Sequence, residues 1–158
     1  MARRIVVLNG PNLNLLGTRE PHIYGTATLA DVEELCAGRA AAHGLEVSCR
    51  QSNHEGELVD ALQEAGADPE CVGAVLNAGA YTHTSIALHD AVKATGLRLV
   101  EVHLSNPHAR EPFRHTSFLS PVAEMVVAGA GIDGYGYAVE HLATTPGPRA
   151  ESSADPRG

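Results

Sequence analysis

This 158-residue sequence predicts an α/β fold, an open doubly wound sheet of five parallel strands with helices on both faces. Three observations carry that prediction. Short apolar runs alternate with helical patterns along the whole chain, which implies parallel strands joined by right-handed crossovers. The length fits one domain, large enough to bury roughly 70% of its unfolded surface. Most of the unusual polar residues fall directly after the predicted strands, and in such sheets ligands bind outside the strands' carboxyl ends.

The first element is "RIVVLNG" (4–10), where the continuous β-branched run Ile5 to Leu8 reads as a strand buried on both sides. "TLADVEELCAGRAAAHG" (28–44) is a helix with Leu29, Val32, Leu35, Cys36 and Ala40 on one face; Thr28 and Asp31 resemble a capping box, and Gly44 offers a stop. "LEVSCRQ" (45–51) is a strand, and "EGELVDALQEAG" (55–66) a short helix ended by glycine. The strand "CVGAVLNAG" (71–79) leads to the helix "SIALHDAVKATG" (85–96). "LRLVEVHL" (97–104) and "EMVVAGAG" (124–131) are the last strands, and "YGYAVEHLA" (135–143) the last helix. Residues 1–145 form the single domain; 146–158, rich in Pro, Gly and Ser, read as a disordered tail.

Composition excludes several classes. A formal charge of −8 argues against nucleic acid and anionic membranes as partners. Aromatic content of 4%, with no Trp, leaves too few rings for stacking single-stranded bases. Cys36, Cys49 and Cys71 are widely spaced and form no CxxC, so they read as reduced, buried thiols. The apolar run at the start is four residues long, against about 7–15 for a signal peptide, and no segment approaches the roughly 18 of a membrane helix. The expectation is a cytoplasmic soluble protein.

The windows after the strands are Asn9 to Asn14, Ser52 to His54, Asn77 to Thr84, His103 to Arg114 and Gly129 to Gly131. "GAGIDG" (129–134) fits GxGxxG, but too little chain follows it for the strand and ribose-binding acid of a dinucleotide site, so a tight turn and close packing are expected. His103, His108 and His115, spread across Pro107 and Pro112, do not match a metal-ligand spacing, and no metal is expected. "HLSNPHAREPFRH" (103–115) sets three histidines, Arg110 and Arg114 against the single acid Glu111, a basic patch suited to an anion. In "LVEVHLS", Glu101 and His103 point to the same side of a strand, and a carboxylate there can fix the ring tautomer for acid–base work. "NAGAYTHTS" (77–85) brings an amide, hydroxyls and His83 to a helix N-terminus, where free N–H groups favour an anionic or hydroxylated ligand.

"GTREPHIYG" (17–25) reads as a mobile loop bearing Arg19 and Tyr24. Ionising a tyrosine near pH 7 costs about 3–4 kcal/mol. A desolvated site with one or two guanidinium groups can supply that, and Arg19, Arg110 and Arg114 are the candidates.

"NGPNLNLLGTREPHIYG", "QSNHEGELVD", "NAGAYTHTSIALHDA" and "EVHLSNPHAREPFRHTS" together resemble the type II 3-dehydroquinate dehydratases, over about residues 4–142. The resemblance implies a flavodoxin-like domain in a homo-dodecamer, a tetramer of trimers. The reaction it implies is the reversible dehydration of 3-dehydroquinate to 3-dehydroshikimate in the shikimate pathway, with no metal and no cofactor. Carried over by motif, Tyr24 takes a proton from C2, an enolate forms, and His103 protonates the departing C1 hydroxyl. Arg19 becomes the lid arginine beside the tyrosine, Asn12 holds a water against the enolate oxygen, and Glu101 partners the histidine. Substrate contacts map to Asn77, His83, Leu104, Ser105 and Arg114, with Arg110 a second arginine near the tyrosine and Asp90 reaching a neighbouring subunit's site. The rival expectation is a flavodoxin-like module that binds a nucleotide or flavin without catalysis.

Overall fold

The computed structural model describes residues 2–18 and 20–147, with Tyr24 described by its backbone alone. Arg19 therefore lies outside the described residues, as does the predicted tail from residue 148 on. Five parallel strands form one sheet in the order β2-β1-β3-β4-β5. They are β1 (Arg4–Asn9), β2 (Glu46–Gln51), β3 (Cys71–Asn77), β4 (Leu99–His103) and β5 (Met125–Ala128). Between and after them lie α1 (Pro21–Tyr24), α2 (Leu29–Ala41), α3 (Glu55–Ala67), α4 (Ile86–Thr95) and α5 (Asp133–Thr144).

Side-chain alternation along the central strands builds two cores. Ile5, Val7, Val75, Val100 and Val102 face α2 and α5, while Val6, Leu8, Ala74, Leu76 and Leu99 face α3 and α4. Strand β1, covered on both sides, is apolar from Ile5 to Leu8 and ends on the buried Asn9, whereas the edge strands β2 and β5 alternate between half-buried and exposed. The capping box of α2 forms as expected: Thr28 Oγ1 accepts from the Asp31 N–H at 3.3 Å, and the Asp31 carboxylate accepts from the Thr28 N–H at 2.8 Å.

Several boundaries differ from the sequence reading. Within the segment expected to be a loop, Pro21–Tyr24 makes one helical turn closed by the Gly25 N–H on the Pro21 carbonyl at 2.8 Å. Its proline supplies a φ suited to a first helical position. Helix α2 stops at Ala41, before Gly44, because the N–H groups of His43 and Leu45 both return to the Ala40 carbonyl. Strand β5 ends at Ala128, and the Gly-rich stretch after it is a turn. Gly134 packs as expected: a Cβ there would stand 3.2 Å from Val127 Cγ1, closer than most side-chain contacts, so Val127 would have to give way by a few tenths of an ångström.

Candidate active site

The carboxyl ends of β1, β3 and β4 meet at one rim, where the register pairs Asn9 with Asn77. Strand order reverses between β1 and β3, so the segments leaving them diverge and open a crevice. Gly10 makes the close approach possible. A Cβ at that position would sit 2.4 Å from the Ala78 carbonyl oxygen, a distance no side chain tolerates. The Gly10 N–H instead donates to the Asn77 carbonyl at 2.8 Å. Beyond it Asn12 adopts a left-handed φ of 69°, which asparagine accepts more readily than most residues, and its N–H donates to Asn53 Oδ1 at 3.0 Å. This clamp places the 3-10 turn Leu13–Leu15 over the crevice.

The cavity between these segments holds about 760 Å³ of empty space, its open mouth included. Asn12, Asn77, His83 and His103 line it, together with Leu104, Ser105, Arg110 and Arg114. Eight of the twelve sequence-predicted site residues thus converge on one cavity. Of the remaining four, Glu101 lies directly behind His103. Asp90 is exposed on α4 and takes no part in the lining. Arg19 lies outside the described residues, and Tyr24 is placed only by its backbone on α1.

Glu101 and His103 do share one side of β4. His103 Nε2 stands 2.5 Å from Glu101 Oε2, and the carboxylate is 1% exposed. Two hydroxyls complete its shell: Ser117 Oγ donates to Oε2 at 2.7 Å, and Ser120 Oγ to Oε1 at 2.6 Å. Burial pushes the Glu101 carboxyl up, but hydrogen bonds from His103, Ser120 and Ser117 outweigh it, so the group titrates below the usual carboxylate range. The carboxylate fixes the His103 tautomer, with Nε2 carrying the proton of the shared bond. His83 stacks on His103 with ring centroids 6.5 Å apart, and its Nδ1 donates to the Thr116 carbonyl at 2.8 Å.

The basic side of the cavity is built from the segment after β4. Arg110 reaches Ser105 Oγ at 3.3 Å, and Arg114 Nε donates to Glu111 at 2.5 Å. The Arg114 guanidinium, backed by Arg110, holds the exposed Glu111 carboxyl below its ordinary range. The expected basic patch is therefore partly matched by its own acid. His108 and His115 pair with each other at 5.6 Å between centroids, apart from His103. Among the described residues, no group of three or more His, Cys, Asp or Glu side chains is placed to hold a metal ion.

Two groups went unnoticed in the sequence. Tyr135, fully buried on α5, donates its hydroxyl to Asn9 Oδ1 at 2.6 Å and accepts from Asn77 Nδ2 at 2.9 Å. The signal available was a tyrosine on a helix face otherwise made of small and apolar residues, since a buried phenol needs a partner. Ser117 and Ser120 fall just past the window that ended at Arg114.

Residues 3–143 match the family described as dehydroquinase class II. The chain is 64% identical to 3-dehydroquinate dehydratase 1 of Corynebacterium efficiens over 143 residues, covering 90% of this chain and 93% of that one. It is also 64% identical to 3-dehydroquinate dehydratase of Azorhizobium caulinodans over 145 residues, 92% of this chain and 97% of the other. The crystal structure of type II dehydroquinase from Butyrivibrio crossotus superposes with a TM-score of 0.85 at 42% identity, covering 89% of this chain and 97% of that one.

Proposed function

The chain belongs to the class II dehydroquinase family, and we propose that Tyr24, His103 and Arg19 carry out its reaction in this cavity. The activity is that of a hydro-lyase of the shikimate pathway, converting 3-dehydroquinate to 3-dehydroshikimate with loss of water; the relatives are named 3-dehydroquinate dehydratases. The observation that carries the assignment of roles is the buried Glu101–His103 pair at the wall of a cavity lined by two arginines.

The proton beside a ketone is weakly acidic, so its removal needs a base aimed at carbon and donors preorganised for the enolate oxygen. Tyr24, on the segment that follows the cavity-lining Leu13 and Leu16, is the base, and Arg19 supports its phenolate. Asn12 holds the water that meets the enolate oxygen. The C1 hydroxyl is a poor leaving group and must be protonated as it departs. Since His103 commits Nε2 to Glu101, the proton comes from Nδ1. Arg114, with the backbone N–H groups of Leu104 and Ser105, receives the substrate carboxylate, Arg110 is the second arginine near the tyrosine, and Asn77 and His83 take the substrate hydroxyls. A base carried by a lid meets the substrate only when the lid closes and excludes water.

The strand order 2-1-3-4-5 supports a flavodoxin-like description of the architecture. Assembly into a dodecamer, with Asp90 entering a neighbouring copy's site, accords with the exposed position of that side chain. No helix among the described residues is long and apolar enough to cross a membrane. The deciding experiment follows the ultraviolet absorbance of the conjugated enone product from 3-dehydroquinate. Unaltered turnover in His103→Ala would remove His103 from the acid's role. Sedimentation of the purified chain tests the assembly.

A further inference from the structure

Glu101 is a buried carboxylate whose partners among the described residues are an imidazole and two hydroxyls, with no lysine or arginine among them. While it still holds the proton it must give up, such a pair can exist in two forms. In one, the carboxylate is an anion and His103 an imidazolium. In the other, the shared proton has crossed to the carboxyl and the ring is a neutral Nδ1–H imidazole. Only the first can release the Nδ1 proton and leave a stable Nε2–H ring behind. Dipoles that favour the anion decide between them.

The two serines are placed to supply those dipoles, one to each carboxylate oxygen. Ser117 has no freedom to do otherwise. Its Oγ accepts the N–H groups of Leu119 and Ser120, both at 3.1 Å, so its single proton is directed at Glu101 Oε2. We propose that Ser117 and Ser120 are positioning residues for the dehydration: they hold Glu101 as an anion and thereby keep His103 charged as the proton donor. The inference rests on the reading of His103 as the acid. When the C1–O bond breaks, the Nδ1 proton leaves in the water, the Nε2 proton stays on the ring, and Glu101 remains ionised throughout. Proton count and charge therefore balance without a further group.

A hydrogen bond to a charged group shifts such an equilibrium by a factor of about 10–100. Ser120→Ala is the cleaner probe, because Ser117→Ala also strips an acceptor from two backbone N–H groups. In Ser120→Ala, kcat for 3-dehydroquinate is expected to fall roughly 10- to 100-fold with KM within about twofold of the parent. The ¹⁵N resonances of the His103 ring, read in histidine-labelled protein, should move from the imidazolium pattern to the neutral one, and Ser120→Thr should restore both. A serine that only shaped the loop would alter the melting temperature and leave those resonances in place. An unchanged imidazolium pattern in Ser120→Ala, or a kcat like the parent's, overturns the proposal. Should that variant fail to fold, Ser117→Ala is read by the same two measurements. Full activity in His103→Ala would instead sink the acid assignment, and the ring resonances would still report whether the serines hold the pair charged.

Discussion

Tyr135 and Asn77, 58 positions apart, meet through a 2.9 Å hydrogen bond in which the amide donates and the phenol accepts. Asn9 Oδ1 can only accept, so it takes the Tyr135 proton and leaves the phenol oxygen to the Asn77 amide. The other end of that amide, Oδ1, accepts from the Gly79 N–H at 3.2 Å. The orientation of a cavity-lining residue is thus set from behind the sheet. Removing the hydroxyl in Tyr135→Phe strands two buried partners, which is expected to cost about 1–3 kcal/mol of stability. It also frees the Asn77 amide to turn, so KM should rise while kcat moves less. Urea unfolding and steady-state kinetics check the two halves; an unchanged KM would confine Tyr135 to the core.

Tyr24→Phe removes one oxygen and no packing volume. If that oxygen is the base, kcat falls by a factor on the order of 10²–10⁴ with the melting temperature essentially unmoved. Arg19→Ala should likewise remove turnover and leave the fold intact. Near-parental rates from the phenylalanine variant would transfer the base role elsewhere.

The fold was legible where a pattern repeats. Ile5 to Leu8 announces a doubly covered strand, and Thr28 with Asp31 marks a helix start, because burial period and capping chemistry are local. The single turn Pro21–Tyr24 was missed, since four residues hold barely one period. In the site, Glu101 and His103 were readable as a pair because strand alternation places residues two apart together. Their supporting groups were not. Ser117, Ser120 and Tyr135 meet the site only through the course of the chain between β4 and α5, and no local rule fixes that course. Glu111 was counted as the lone acid of a basic patch, and its ion pair with Arg114 shows why a count of charges is not a field.

If Arg114 takes the substrate carboxylate as proposed, that ion pair makes Glu111 its competitor. The Glu111 carboxylate is exposed and solvent screens the pair, so the effect is small and its sign is the test. Glu111→Gln should lower KM by no more than about fivefold and leave kcat alone. A higher KM would mean that Glu111 orients Arg114 for binding.

The cysteines should be inert in the native protein. Burial, with the neighbouring Cys49 and Glu33, pushes the Cys36 thiol up to about 12; burial and Glu33 push Cys49 to about 11. At pH 8 the thiolate fraction of Cys36 is on the order of one in ten thousand, and the thiolate is the reacting form. Burial raises Cys71 as well. A chromogenic disulfide reagent should label slowly in buffer and reach all three thiols in urea. Rapid labelling of Cys36 without denaturant would contradict the packing of α2 on the sheet.

Glu101 links the site to the acid stability of the fold. Its carboxyl titrates below the ordinary value of 4.5 in the native state, so folding disfavours its proton. The stabilisation from its hydrogen bonds is complete above the unfolded value and is lost as pH falls through the lower, folded value. In Glu101→Gln the amide does not titrate, and this part of the pH dependence vanishes. The stability gap between parent and variant, measured as urea midpoints, should therefore be widest near neutrality and narrow below about pH 4.5. A gap that widens toward acid would mean that burial, which favours the protonated form, has won over the three hydrogen bonds. Glu101 would then be a neutral acid in the folded protein, and the imidazolium of His103 would lose its counter-charge.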